Sequence, residues 1–470
     1  MDKEIIIYHD IVKYCFDNNY RNHVVKNGLE LLNLLGYNSD TRISRLNIDF
    51  YKKSKVYIYN IIKMISIMAF YIDEYKKTGF ELSEYLILSK EYTDKKIILM
   101  NEIYYFDELN YDSMTIIRIT EEPIIENPKY EDMISYYPLN PSIIQTEDGY
   151  LANIRYVNYI IENGSFIILD KDNKIRTKNY IVELDNNLII INEYELVDKS
   201  WLSTTLKNNL PNLKYLGFED IVLFPISKDD SIWCSCTTNI TYPINIGKIT
   251  LCKLELNKYN KYEITESYIL KGPNGFNRVE KNWVCINSDN IHKRVKFIYS
   301  HSPLHIVVAN IGKAMNNNLR EENIEKIMKD NLSVDGKMNY NLREEMTEKV
   351  NIINVSDVSK IEQSYDFSRF HGSSLPLSIF GGHLSVIHET TVMRNNKRCY
   401  SHRFILYNNN WEIVKISNPW YFDHIGIEFC RSICFDINNL NILLSVGIRD
   451  NSACIYTINI KTIDDMLHFL

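Results

Sequence analysis

No stretch of the sequence approaches the roughly 18 consecutive apolar residues that a membrane-spanning helix needs, so no membrane span is expected. The opening residues, Met1-Asp2-Lys3-Glu4-Ile5, are charged and lack the apolar core of a secretory signal. The expected location is therefore cytoplasmic. Clustered basic charge is also missing. With 53 Lys and Arg against 60 Asp and Glu the net charge is −7, and the densest basic patches, Lys52–Lys55 and Lys95–Lys96, sit among acids. Nonspecific nucleic-acid binding depends on grouped cations that displace counterions, so no nucleic-acid partner is expected. The nine cysteines form no metal-type array: Cys234-x-Cys236 and the Cys430/Cys434 pair have no second pair at ligand spacing. No metal or resident cofactor is expected. An odd cysteine count suits a reducing compartment, where thiols serve as small buried apolar groups.

Apolar residues at 45% and charged residues at 24% are ordinary globular usage, so a packed core is expected. Tyrosine is abundant, with 34 copies. Amphipathic rings suit sugar faces, although an AT-rich coding bias is the stronger explanation of the Ile, Asn, Lys and Tyr content.

Two periodicities divide the chain, and the expected class is α+β multidomain. Helical spacing dominates the front, giving a helical domain over 1–125. Ile11, Val12, Tyr14 and Cys15 fit one stripe, and Val24, Val25, Leu29, Leu32 and Leu35 another. Ile58–Tyr71 is apolar nearly all round, as a helix enclosed by others would be. Lys26-Asn27-Gly28-Leu29-Glu30-Leu31 returns as Lys77-Thr78-Gly79-Phe80-Glu81-Leu82. Each copy is followed by an Asn-started aromatic segment, Asn47–Tyr51 and Asn101–Phe106. Paired helical hairpins resemble tetratricopeptide-type repeats, which bind partners, so a protein partner through this region is one expectation and a supporting cap the other.

From about residue 130 short β-branched and aromatic runs alternate with Asn, Gly, Asp and Pro turns, among them Gly149–Tyr159, Ile232–Thr237, Ile249–Leu254, His383–His388 and Ile442–Val446. Many short strands with little helical pattern indicate an all-β array, assigned to 130–470. A charged, Asn-rich insertion at about 310–365 is expected to be partly helical over Arg320–Asp330 and Leu342–Lys349.

Polar motifs enter five successive strand clusters. They are Asn140-Pro141-Ser142 with Arg155 following, Gly217-Phe218-Glu219-Asp220, Val279-Glu280-Lys281-Asn282-Trp283, His371-Gly372-Ser373-Ser374, and Gly426-Ile427-Glu428-Phe429. The fourth is followed by His388-Glu389 and Arg398-Cys399-Tyr400-Ser401-His402-Arg403, and the fifth closes with Gly447-Ile448-Arg449-Asp450. Inner strands of a five-bladed β-propeller line one axis, so charges at their starts converge there, and charged residues are seldom buried without partners.

In order and wording these motifs resemble the five-bladed propeller glycosidase superfamily, above all glycoside hydrolase family 130, over roughly residues 135–460. That family contains mannoside phosphorylases and hydrolases, and related propellers transfer mannose. Glu219-Asp220 resembles the family's Glu-Asp-Pro-Arg. His388 ends a strand as the family's histidine does, Arg398-x-Tyr400 matches an Arg-x-Tyr, and Gly447-x-x-Asp450 matches its closing Gly-x-x-Asp. A helical front joined to a propeller also resembles sugar-processing proteins of large DNA viruses with AT-rich genomes.

The resemblance implies a carbohydrate or glycoconjugate partner bound at the axis, with Asp220 as general acid. Glu280, Glu389 and Glu428 are the other acids from which a base could come. Asn140, Arg155, Glu219, Lys281, Asn282, Trp283, Ser373, His388, Arg398, Tyr400, His402, Arg403 and Asp450 are expected to bind substrate. In an extended strand Glu219 faces away from Asp220, so the two are not expected to act as a pair. Inorganic phosphate is a conceivable co-substrate, yet the family's Pro-Arg is Ile221-Val222 here, which removes a phosphate-binding arginine. Hydrolysis, phosphorolysis, transfer and a catalytically silent binding or scaffold module all stay open.

Overall fold

The structure, a computed structural model, describes residues 2–37, 48–108, 114–126, 133–162, 165–200, 215–225, 232–241, 246–275, 279–289, 294–311, 352–372, 374–393 and 398–470. Ser373 and the helical stretches expected at Arg320–Asp330 and Leu342–Lys349 lie outside them.

Among the described residues five helices build the front: α1 (Asp2–Asp17), α2 (Arg21–Leu34), α3 (Lys55–Ala69), α4 (Lys76–Leu88) and α5 (Lys96–Glu102). Among the described residues a sixth, α6 (Ile460–Met466), follows the strand Ser452–Asn459 and precedes the short strand His468–Phe469. In α1 the core stripe is Ile5, His9, Val12 and Cys15, at spacings of four and three, whereas Ile11 and Tyr14 point outward. At about 100° per residue the expected stripe of adjacent pairs straddled the boundary between the two faces. α3 is the central helix, with nine buried residues. The repeated glycines explain its seat. A Cβ on Gly28 of α2 would lie 2.5 Å from Cδ1 of Ile65, and one on Gly79 of α4 would lie 2.7 Å from the Cβ of Ala69. Each copy of the repeat thus removes a side chain where a helix crosses α3, which offsets the roughly 1 kcal/mol helix penalty of glycine. Both copies also lead to 3₁₀ turns, Ile48–Tyr51 and Ile103–Glu108.

The rest is a five-bladed β-propeller. Blade 1 comprises Ile134–Gln145, Tyr150–Val157, Ile175–Leu184 and Ile190–Glu195, from the axis outward. Blade 2 comprises Glu219–Pro225, Ile232–Thr241, Ile246–Leu256 and Tyr262–Lys271. Blade 3 is Val284–Asp289, Arg294–His301, Leu304–Asn310 and Ser356–Ile361. Blade 4 has a divided inner edge, His371–Gly372 and Leu377–Ile379, then Gly382–Val392, Arg398–Tyr407 and Ile413–Ile416.

Blade 5 contains Glu428–Phe435, Asn441–Ile448 and Ser452–Asn459, and its outer strand is Thr115–Thr120, antiparallel to Ser452–Asn459. The ring is therefore closed by a segment from the stretch assigned to the helical front. Joining the first strand to the last leaves no open seam for the circle of sheets to part along.

Between blades the cores are apolar, as in the cluster that holds Phe224, Trp233, Trp283 and Phe297. All nine cysteines are buried free thiols, and Cys234, Cys236 and Cys252 share the core between blades 1 and 2. Serines join the inner strands. Ser142 Oγ of blade 1 accepts the amide of Leu223 in blade 2 at 2.9 Å, and Ser432 Oγ of blade 5 accepts that of Ile143 in blade 1 at 2.6 Å. A hydroxyl satisfies an amide that neighbouring inner strands, diverging by twist, cannot pair by themselves.

Candidate functional site

Four inner strands share a one-residue irregularity; that of blade 3 falls between Cys285 and Asn287, and the other three bear on the site. In blade 1 the register slips between Leu139 and Ser142, in blade 2 between Glu219 and Val222, and in blade 5 between Cys430 and Ser432. Each slip is a bulge, an extra residue that bends the strand and re-aims a side chain. The bulges hold Asn140, Asp220 and Arg431 respectively, and Asn140 (φ 44°) and Asp220 (φ 55°) are left-handed. Glu219 and Asp220 have different hydrogen-bond partners, Lys281 for the first and Arg155 with Asn140 for the second.

Asp220 is the hub. Its Oδ1 accepts Nη1 of Arg155 at 2.7 Å and Nδ2 of Asn140 at 2.9 Å, while its backbone carbonyl accepts Nε of Arg431 at 3.0 Å. Its side chain is only 15% exposed, and that of Arg155 only 6%. Burial alone would raise the carboxyl's pKa, but Arg155, Arg431 and Lys281 outweigh it and hold Asp220 well below the usual range. Glu219 accepts Lys281 Nζ at 3.1 Å, and that lysine is 45% exposed at the rim.

Asp450 joins the group from the Arg449–Asp450 turn, where both residues are left-handed. It is half-buried, and its charge is felt by Arg155, Tyr159 and Tyr400. Burial raises its pKa to about 6; Arg155 opposes the shift and the neighbouring Asp220 charge adds to it. Gly447, which begins this turn's motif, has no room for a side chain: a Cβ would sit 2.5 Å from both N and Oδ1 of Asn140.

One flank is aromatic. The His388 ring lies 4.8 Å from Phe429, 5.4 Å from His371 and 5.6 Å from Tyr400. Burial, with His371 and His402 nearby, keeps its imidazole far below its ordinary pKa and therefore neutral at pH 7. Tyr400 in turn interacts with the exposed Arg398. Asn140, Arg155, Glu219, Asp220, Lys281, His388, Tyr400 and Asp450 thus belong to one electrostatic neighbourhood.

The other expected site residues have different partners. Glu280 accepts Nε1 of Trp283 at 3.2 Å and the hydroxyl of Tyr299 at 3.3 Å. Trp283 is buried edge-on against Phe297 and Tyr299, so it packs blades together instead of presenting a face to a sugar. Asn282 is left-handed, its carbonyl close beneath Gly372. Glu428 accepts the backbone amides of Phe422, Asp423 and His424 at 2.6, 2.8 and 2.9 Å, tying down their loop. His402 Nε2 accepts the amide of Cys430 at 3.2 Å and packs against Trp420 and Phe422.

Glu389 and Arg403 form a buried charge cluster with the helical front. Arg403 bonds Glu389 and, through Nη1 and Nη2, Glu84 of α4 at 2.5 and 2.8 Å; Glu102 of α5 lies 3.7 Å away. Arg369 completes it, 3.0 Å from Glu389. Sequence reading missed Arg431, which lies two residues beyond the fifth motif. A lone cation in the inner strand Glu428–Phe435, between Cys430 and Ser432, was the available signal. Among the described residues no group of three His, Cys, Asp or Glu is placed to hold a metal ion, and no helix is long and apolar enough to cross a membrane.

No family model matches the chain, and no curated protein matches it by sequence. Among solved structures it is similar to beta-1,2-mannobiose phosphorylase from Listeria innocua in complex with beta-1,2-mannobiose, at 12% identity and TM-score 0.40, covering 75% of this chain and 99% of that one. It is also similar to MPT-4, a mannose phosphorylase from Leishmania mexicana, at 8% identity and TM-score 0.37, covering 78% and 95%. The alpha-L-arabinofuranosidase PaAbf62A from Podospora anserina gives 10% identity and TM-score 0.34, covering 72% and 95%. Likeness at this level carries no argument about activity. The propeller is established by the order of the sheets themselves.

Proposed function

We propose that this chain is a carbohydrate-active protein that holds a sugar at the end of the propeller axis and processes its glycosidic linkage, with mannosides the first class to test. One observation carries the reading: bulges in the inner strands of three blades hold Asn140, Asp220 and Arg431, which meet at one buried point with Arg155. Core packing requires no such expense, since ionised groups lose hydration on burial. A cluster of strongly perturbed ionisable groups in a recess is a functional-site signature. Fixed donors and acceptors suit sugar hydroxyls, and paired carboxyls suit glycoside chemistry. Ile221-Val222, in place of the family's Pro-Arg, favours hydrolysis or transfer over phosphorolysis.

The test is incubation with β-linked mannobiose and aryl β-mannosides, with and without inorganic phosphate, following release of mannose or mannose phosphate. Arg155→Leu should abolish turnover with the far-UV spectrum unchanged. A fully active Arg155→Leu protein removes this site from the reaction.

A second reading, a sugar-binding module without turnover, draws on Glu280, Glu389 and Glu428, whose oxygens are engaged by protein donors. Sugar binding with unchanged glycan after prolonged incubation would favour it.

A further inference from the structure

The two aspartates at the axis are held in opposite ways. Asp220 has Oδ1 filled by Arg155 and Asn140 and its carbonyl gripped by Arg431, so it is arranged to accept and has no proton to give. Asp450 is half-buried in the same neighbourhood, and among the described residues its carboxyl makes no hydrogen bond. Its left-handed turn follows Gly447, which lies against Asn140; Arg155 and Asp220 act on its charge, and it acts in turn on Tyr159 and Tyr400.

We infer that Asp450, not Asp220, hands the proton to the departing glycosidic oxygen, while Asp220 serves as a fixed anion facing the cation that develops on the sugar ring. This rests on the carbohydrate-active reading above. As the C1–O bond breaks, its electron pair leaves on the oxygen, which takes the Asp450 proton. A water molecule adds at C1, and the proton it sheds restores Asp450. Glycoside and water are consumed, and two hydroxyl compounds are released. Environments that push two carboxyls apart assign the acid and the anion in this way. The shifts agree with the geometry: burial and the Asp220 charge lift Asp450 to about 6, whereas three cations hold Asp220 low.

The leaving group provides the kinetic test, because a dinitrophenolate departs without a proton and a simple alkoxide does not. Methyl and 2,4-dinitrophenyl β-mannosides are compared across pH in the full-length protein. Asp450→Asn should lose about 100-fold or more on the methyl glycoside, the usual range for removing a general acid, and little on the dinitrophenyl one. It should also lose the basic limb of the pH profile, and Asp220→Asn should fall on both substrates. If Asp220→Asn is instead the variant rescued by the activated leaving group, the assignment is overturned.

A second measurement is independent of turnover. With aspartate carboxyls labelled with carbon-13, the resonance titrating near pH 6 should vanish in Asp450→Asn. Its survival there overturns the inference. A wild-type protein that cleaves no glycoside overturns the sugar reading, and the titration then still decides where the proton resides.

Discussion

Arg403 of blade 4 donates through both terminal nitrogens to the Glu84 carboxylate of α4, a bidentate pair spanning 319 positions of sequence. The guanidinium is fully buried and also bonds Glu389 within its own blade. The helical front is therefore joined to the propeller through charge. Its surface is further pinned by Lys95 to Asp366 at 2.5 Å and Lys90 to Glu362 at 3.3 Å.

Breaking the central pair leaves uncompensated charge in a dry interface. Arg403→Ala should lower stability by about 3–5 kcal/mol, because Glu84 is then buried without its cation and Glu389 keeps only Arg369. Replacement of both partners, Arg403→Met with Glu84→Leu, should cost much less. Chemical denaturation of the two variants checks this. Equal losses would show that packing, not charge, sets the cost.

The same cluster makes stability depend on pH. Burial raises the Glu102 pKa well above the ordinary value, and its hydrogen bond and repulsion with Glu84 add to that, together with Glu389; Arg369 opposes it. The surroundings of Glu102 favour the protonated form. A carboxyl raised in the folded state contributes fully below its unfolded pKa, and that contribution is lost as pH rises toward the folded value. Glu84 goes the other way: burial would raise it, but Arg403 outweighs burial, so its contribution is lost on acidification. Glu102→Gln keeps a donor for Glu84 without the charge. Its melting temperature should decline less than wild type between pH 5 and 9. Parallel curves would remove Glu102 from the account.

Gly447 is a steric requirement of the site. A methyl group there would press on the amide and Oδ1 of Asn140, displacing the blade 1 bulge and with it the bond to Asp220. Gly447→Ala should destabilise the fold by about 1–3 kcal/mol, as overpacking does, and weaken sugar binding as well. Denaturation and titration calorimetry with mannobiose measure both. Wild-type affinity in the variant would show that Asn140 need not be held where it is.

Strand groups and their polar entrances were legible in the sequence because alternation, β-branching and turn residues are local properties. The closing strand was harder to see: Thr115–Thr120 is six residues long and lies beside helices, and its partner is at the other end of the chain. Bulges carry little compositional trace, although Asn140-Pro141 inside a strand is one, since proline cannot donate to a ladder. Glu389 and Arg403 share a motif with His388 and Tyr400, yet residues adjacent in a strand face opposite sides. His388 and Tyr400 meet at the aromatic flank, and Glu389 and Arg403 meet α4 and α5. Alternation divides the motif into these two faces, and the register of the two strands says which partners each face meets.

Arg431 is the residue whose loss should be most informative. Its guanidinium grips the Asp220 carbonyl with two nitrogens and lies 5.7 Å over the Phe429 ring, so it holds a left-handed backbone and an aromatic flank together. It is also one of three cations that offset the burial of the Asp220 carboxyl. Arg431→Lys keeps a positive charge but not the planar two-point grip, whereas Arg431→Met removes both. In the methionine variant the Asp220 resonance should titrate at higher pH than in wild type. Mannoside affinity should fall about tenfold or more, the size expected for a lost charge-assisted hydrogen bond. The lysine variant should preserve most of the titration and lose most of the affinity, because charge acts at a distance and the grip does not. If neither quantity moves in either variant, Asp220 is held by Arg155 and Asn140 alone.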